Sequence, residues 1–445
     1  MPALENVREV PKAAGGLPVV GHALTLKKDP VTFFLGLRSV GAVVRIRFGP
    51  NPAYVVNDED LIRQIFVSDA HLYDKGAFWD KMRALVGNGL ANSSGATHLR
   101  QRRMMQPMFH RQRIAWCGAV MAEFWRERVD SWESGQTMSI PAVMTDAALA
   151  MVVRTMFASR IGAEAIDSIR THFQSVQDGL MFRTLNPLPV LEKLPTPGNR
   201  RYTRGINAIW SAIDKVIDAY QADGADHGDL LSILVAARDA DTGEPMDSAE
   251  IRDQVLTIAL AGTDTTANAL GWSCYQLGRN PVIADKIAAE VAETIGDKPL
   301  TFEDLSRLTY TDQFVQEVLR YYAFWMLMRR TLADVTLGGH RIPAGSQVLI
   351  SPIALHRDPE IFPEAAVFDP DRWSDGGPAR RTSYIPFGAG ARQCIGDRFA
   401  WAETMLGVAT ICRRWRLRPV AGQVTSEVYR IAVNPSPLRM TVTEP

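Results

Sequence analysis

The sequence predicts a fold made mainly of α-helix with small β-sheets. A long capped helical stretch lies past the middle of the chain, and helical spacing of apolar residues dominates the first half. Strand-like pieces are short and fall near the N-terminus and in the last third.

Pro11 to Gly21 is rich in Pro and Gly and reads as an irregular lead-in. Val43 to Phe48 alternates apolar residues with Arg45 and Arg47, Pro50-Asn51-Pro52 reads as a turn, and Tyr54 to Val56 as a second strand, which makes a hairpin. From Asp60 to about Tyr220 the pattern is mostly helical, broken by loops at Gly87 to Gly95 and Asn186 to Gly198. The clearest helix runs from near Asp247 to about Leu277. Asp247 and Glu250 form a capping box, and Gly278 with Asn280-Pro281 is a stop signal. Its length of about 45 Å would cross a whole domain. Another helix opens at Thr301, and a helical pattern resumes through Arg320, with Tyr310, Phe314, Val315, Val318 and Leu319 on one face. Past Asp334 come short strands with turns at Gly338-Gly339 and Pro343-Ala344-Gly345.

Composition sets outer bounds. The chain has 445 residues, 46% hydrophobic and 22% charged, with a formal net charge of zero. No linker, charge block or repeat divides it, so residues 1–445 read as one large domain. Zero net charge gives no support for nucleic-acid binding. The four cysteines, Cys117, Cys274, Cys394 and Cys412, are scattered without metal-site spacing. So sparse a set suits a reducing cytoplasm better than a secreted disulfide framework. Met1 to Gly21 has no apolar signal-peptide core, and no run approaches the roughly 18 apolar residues of a membrane span. A cytoplasmic protein without a membrane anchor is expected.

The most informative segment is Phe387-Gly388-Ala389-Gly390-Ala391-Arg392-Gln393-Cys394-Ile395-Gly396. Its glycines exclude a regular helix or a central strand and permit positive φ and close approach. A cysteine beside Arg392 and just before a helical stretch sits in a field that favours thiolate. Alone, a cysteine in a glycine-rich turn is more often a buried structural residue. Here Phe387, Gly388, Gly390, Arg392, Cys394 and Gly396 together resemble the haem-binding loop of the cytochrome P450 superfamily, and Ala400 and Glu403 continue the match.

Other segments extend the resemblance. Ala261-Gly262-Thr263-Asp264-Thr265-Thr266 is poor helix-forming sequence for the middle of a helix. It is similar to the family's oxygen-activating segment. There Gly262 would leave room over the haem, the Thr265 hydroxyl would bond its own backbone, and Asp264 with Thr265 would relay protons. An isolated Glu-x-x-Arg is a surface pair worth at most about 1 kcal/mol, but Glu317 and Arg320 lie where the family places such a motif. Arg372 would complete a buried ionic triad. His98 and Arg102 resemble propionate partners in the family's third-helix segment, although neighbouring arginines also fit a solvated basic helix. Arg392 and Arg329 are further propionate partners by resemblance, with Arg330 as a substitute for Arg329. The chain departs from the family at Ala323-Phe324, where two prolines are common. The apolar run Trp325 to Met328 after it would wall a pocket or serve as core.

The resemblance implies the cytochrome P450 fold, b-type haem (iron protoporphyrin IX), and Cys394 as iron ligand. It implies a monooxygenase that takes one atom of O2 and places it in an apolar small molecule. No segment offers a flavin or nicotinamide site, so a ferredoxin and a ferredoxin reductase are expected as electron donors. Arg100, Arg103, Arg111, Arg113, Arg413 and Arg414 form a candidate basic docking face. In overall flavour the chain resembles actinobacterial sesquiterpene oxidases such as the pentalenene oxygenases, which implies a terpene substrate in antibiotic biosynthesis. A peroxide-dependent haem-thiolate enzyme and a non-catalytic haem protein that senses gas or binds an apolar ligand remain as alternatives.

Overall fold

The computed structural model describes residues 8–48, 51–157, 163–185, 190–376 and 382–445. By its internal contacts the chain divides into two compact units. One comprises residues 1–80, 316–394 and 431–433, and the other 81–315, 395–430 and 434–445.

The first unit is built on a five-stranded sheet, in the order Val43–Phe48, Asn51–Val56, Gln347–Ile350, Leu327–Thr331, Tyr73–Asp74. The expected hairpin forms with Val43 opposite Val56 and Phe48 opposite Asn51, so its second strand starts three residues earlier than the alternation indicated. Pro52 is tolerated there because the parallel pairing to Gln347–Ile350 spans only Ala53 to Val55. Of the expected turn, Pro50 lies outside the described residues. One face of the sheet packs Val43, Tyr54, Val56, Val348 and Ile350 into a core with Phe66, Phe362 and Trp373. The other packs Val44, Ile46, Val55 and Leu349 against Phe34 and Leu37 of the helix Pro30–Arg38. This two-sided burial makes the sheet a rigid platform for the loops after it. The turns expected after Asp334 are present, with Gly338, Gly339 and Gly345 all at positive φ.

The second unit is helical. Its long helix runs Ser248–Arg279. Asp247 caps it by accepting the Glu250 backbone N–H at 2.8 Å, and the Glu250 side chain reaches back to the Asp247 N–H. Gly278, expected as a stop, is inside the last turn, and the helix ends at Asn280. A Cβ on Gly278 would lie 2.6 Å from the Met440 methyl, so glycine is needed there for close packing. The helix expected from Thr301 is instead a short 3₁₀ segment, Glu303–Arg307, followed by Thr309–Tyr321. Thr301 uses its N–H and hydroxyl to hold Asp304, which gives a turn without a helix. Of the loop expected at residues 186–198, residues 186–189 lie outside the described set, and helices occupy Val190–Lys193 and Pro197 onward. Helix Asp397–Arg414 follows the cysteine loop and packs on helix Arg111–Asp130. No helix among the described residues is long and apolar enough to cross a membrane.

Candidate functional site

In the first unit, successive tight turns shape the cysteine loop. Gly388 N–H donates to Ile385 O at 3.0 Å, Gln393 N–H to Gly390 O at 3.0 Å, and Cys394 N–H to Phe387 O at 2.9 Å. Gly388 and Gly390 hold φ of 72° and 67°. A Cβ on Gly390 would lie 2.0 Å from the Phe66 carbonyl oxygen, so only glycine lets the loop rest on that backbone. Cys394 is exposed, whereas Cys117, Cys274 and Cys412 are buried. Burial pushes the thiols of Cys117 and Cys412 up to about 12 and that of Cys274 higher still. A ligand sulfur must be reachable, and Cys394 alone of the four is.

Three basic side chains, Lys75, Arg329 and Arg392, lie within electrostatic reach of one another, and Cys394 within reach of Lys75. Arg329 is buried, lies over the Phe66 ring and donates to Met328 O at 2.8 Å. Burial first, then repulsion from Arg392, brings its guanidinium down to about 10. Lys75, half-buried with its ammonium 4.1 Å from the Trp79 ring centre, is pulled well below the ordinary lysine range. Desolvation is the main cause, Arg329 and Arg392 add to it, and the Cys394 charge opposes it. Arg330 is engaged elsewhere, with Asp74 at 2.6 Å and Asp80 at 2.7 Å. The structure thus separates the two candidate arginines: Arg329 is buried and feels the charge of Arg392, and Arg330 is tied to acids. The sequence reading missed Lys75. A lone lysine before Gly76 carries no local signal. It joins the group because Tyr73 and Asp74 pair with Thr331 and Arg330 across the sheet.

A buried ionic cluster underpins the loop. Arg320 binds Glu317 through two bonds of 2.7 and 2.8 Å, and Arg372 Nε stands 3.5 Å from Glu317. The Trp373 indole N–H and the Asp369 N–H, both at 2.9 Å, complete the Glu317 carboxylate. Arg320 also donates to the carbonyls of His356, Ala365 and Val367. Glu317 and Arg320 are fully buried, and such a pair persists only when every lone pair and proton is matched. Trp325, Met326 and Met328 pack partly on the sheet core, so core packing accounts for part of that apolar run.

In the second unit, Gly262, Asp264 and Thr265 occupy the middle of the long helix. Thr265 Oγ donates to Ala261 O at 2.7 Å, as its position in a helix permits. Ala261, one turn from Thr265, is exposed, and the other exposed residues of this helix, Ser248, Ala249 and Arg279, lie at its ends. A Cβ on Gly262 would lie 2.7 Å from Val152 Cγ2, so this glycine also admits helix Ile140–Met156. His98 and Arg102 stand four apart on helix Gly95–Met105, and His98 is buried.

Part of the expected basic docking face is engaged: Arg100 and Arg103 meet acids, while Arg113 and Arg413 meet only backbone carbonyls. Arg100 is paired with Glu250 at 2.8 Å and Arg103 with Asp241 at 2.5 Å, and Asp239 lies within 4 Å of both. Arg113 donates to Gly228 O, and Arg413 to Lys298 O and Gly296 O. The acids that neutralise Arg100 and Arg103 lie more than a hundred residues away in sequence, so a local charge count missed them.

An exposed sulfur donor on a rigid loop suits a soft or borderline metal centre such as haem iron. Lys75, Arg329 and Arg392 repel one another, and Asp74 and Cys394 offset this in part, so a guest carrying carboxylates fits beside the sulfur. Haem, with an iron and two propionates, matches both requirements.

Comparison with known proteins agrees with this chemistry. The family model described as cytochrome P450 matches residues 11–442. Cyclooctat-9-en-7-ol 5-monooxygenase of Streptomyces melanosporofaciens is 42% identical, covering 97% of this chain and 95% of that protein. Pentalenene oxygenase of Streptomyces avermitilis is 36% identical, covering 92% and 93%. The crystal structure of the cytochrome P450DA haem domain superposes with a TM-score of 0.88 at 25% identity, covering 98% of each chain.

Proposed function

This chain belongs to the cytochrome P450 family and is a haem-iron monooxygenase, and from that premise we propose that it oxidises a cyclic terpene hydrocarbon or terpene alcohol in secondary metabolism. The observation that carries the cofactor half of this reading is the accessible Cys394 beside Lys75, Arg329 and Arg392. In the proposal residues 1–445 act as one catalytic domain, haem b is the cofactor, and the Cys394 sulfur would hold its iron. Lys75, Arg329, Arg392, His98 and Arg102 would be its propionate partners, and Phe387 would frame the loop. Haem held there would supply the redox chemistry of O2 activation.

The chain's own residues handle protons and shape. The Thr265 hydroxyl donates to Ala261 O, which turns its lone pairs outward as acceptors. The Asp264 carboxyl, one residue earlier on the helix, collects protons from water and passes them toward Thr265 Oγ. Gly262 keeps the helix free of a side chain at that level. Ferredoxin and its reductase supply electrons from the cytoplasm.

For the substrate, the support is the likeness to two relatives, an alkenol monooxygenase and an alkene oxygenase. The half-buried apolar residues Phe324 to Met328 and the exposed Ala261 agree with an apolar guest. The test is a titration of the haem-loaded enzyme, followed by its Soret band, with terpene hydrocarbons, terpene alcohols and fatty acids. A shift to high spin with the terpenes, and product formed with surrogate ferredoxin, reductase and NADPH, is expected. Shifts with fatty acids alone would contradict the substrate class.

A further inference from the structure

We propose that the tip Leu17–Val20 docks the enzyme on an anionic lipid surface. Ala14 to Val20 contains no polar side chain, and all seven residues are exposed. Leu17 is 47% exposed, Val19 78%, and Leu24 on the adjoining helix Ala23–Lys28 58%. Single exposed apolar residues need no explanation, but a contiguous group on one projection does.

The projection is built, not frayed. Leu17 and Gly21 exchange backbone hydrogen bonds of 2.9 and 3.0 Å, closing a tight turn. His22 then fixes the base: it is buried, its N–H donates to Arg47 O at 2.8 Å, and its Nδ1 accepts the Arg47 N–H at 3.0 Å. At the apex Val19 holds φ of 66°. A β-branched residue in the left-handed region is strained, and Asn or Gly would relieve it. An apolar side chain kept there despite strain and exposure points to a function at the tip. Because the turn is already ordered, little conformational freedom is lost when it inserts.

The charges around the tip select the partner. Lys27 and Lys28 lie three and four residues past Leu24, on the same helix face. Arg47, at the base, is exposed. None of these three cations forms an ion pair among the described residues. The nearby Asp29 is occupied in capping Thr32 N–H at 3.1 Å. An apolar tip with a basic collar matches the acyl boundary and headgroups of an anionic leaflet, where water-insoluble molecules also accumulate. The inference does not depend on the substrate class.

The test is sedimentation of the haem-loaded enzyme with vesicles of phosphatidylglycerol mixed equally with phosphatidylcholine, beside vesicles of phosphatidylcholine alone. Binding to the anionic vesicles that weakens with salt is expected. Val19→Asn, which suits the backbone better than valine, should reduce it by roughly tenfold together with Leu17→Gln. Lys27→Gln and Lys28→Gln should each reduce it about fivefold. The Soret spectrum of every variant should stay that of the parent. Equal partition of parent and variants, or no binding to anionic vesicles, would overturn the proposal. So would a parent dimer that Val19→Asn splits, since a second copy would then be what covers the tip.

Discussion

The imidazole of His356 links Arg320 to Ile385: its Nε2 accepts the Ile385 N–H at 3.0 Å, and its Nδ1 lies 3.2 Å from Arg320 O. Because Nε2 accepts from an amide, the proton resides on Nδ1 and is donated to the Arg320 carbonyl. Ile385 in turn accepts from Gly388 in the cysteine loop. Replacing His356 with Phe leaves a buried N–H and a carbonyl unmatched, a loss of about 2–4 kcal/mol. The ferrous–CO spectrum of His356→Phe should show an increased fraction lacking thiolate ligation, and an unchanged fraction would remove His356 from the account.

The same histidine predicts an acid limit. Burial first, then Arg320, holds its pKa down to about 3, so the folded protein binds the proton more weakly than the unfolded chain. Stability from this group is therefore complete above an unfolded value of about 6.5 and is lost as pH falls toward about 3. His356→Asn should flatten that part of the thermal-stability profile, measured by melting temperature against pH.

Glu403 predicts the opposite slope. It is fully buried, neither carboxyl oxygen meets a hydrogen-bond partner among the described residues, and burial pushes its carboxyl well above the carboxylate range. The folded state then binds a proton that the unfolded chain releases, so stability falls as pH rises from the unfolded value toward the folded one. Glu403→Gln should gain on the parent in melting temperature as pH rises above the unfolded carboxylate value of about 4.3. Parallel curves would show that Glu403 is ionised.

The ionic cluster behaves as a unit. Arg320→Ala leaves Glu317 buried without its bidentate partner and frees three carbonyls, so a loss of about 3–5 kcal/mol is expected. Thermal melting and haem content report it, and a shift within surface-mutation range would refute the assignment.

Two glycines separate strain from clash. Gly388 has positive φ but open space around a Cβ, so Gly388→Ala should cost about 1–2 kcal/mol. Gly390→Ala adds a collision with the Phe66 carbonyl and should damage haem retention far more. Equal effects in the two variants would mean that the approach to Phe66 does not shape the loop.

Much of this is legible in the sequence. The capping box at Asp247 and Glu250 placed the long helix because both partners are local in sequence. The glycine pattern before Cys394 encodes positive φ and close approach, which are backbone facts. What escaped depends on distant chain. Lys75 acquires its meaning from strand pairing with residues about 330, His356 from amides on either side of it, and two of the docking arginines, Arg100 and Arg103, are matched by remote acids. Gly278 misled because a stop signal and a packing glycine look alike in sequence.

The most direct test of the account is the ferrous–CO Soret spectrum of the haem-loaded parent beside Cys394→Ser. The account predicts the red-shifted band of a thiolate-ligated haem in the parent and its loss in Cys394→Ser, with haem still bound through Lys75, Arg329 and Arg392. A Cys394→Ser enzyme that keeps the thiolate band would mean that another sulfur binds the iron, and the site described here would be wrong.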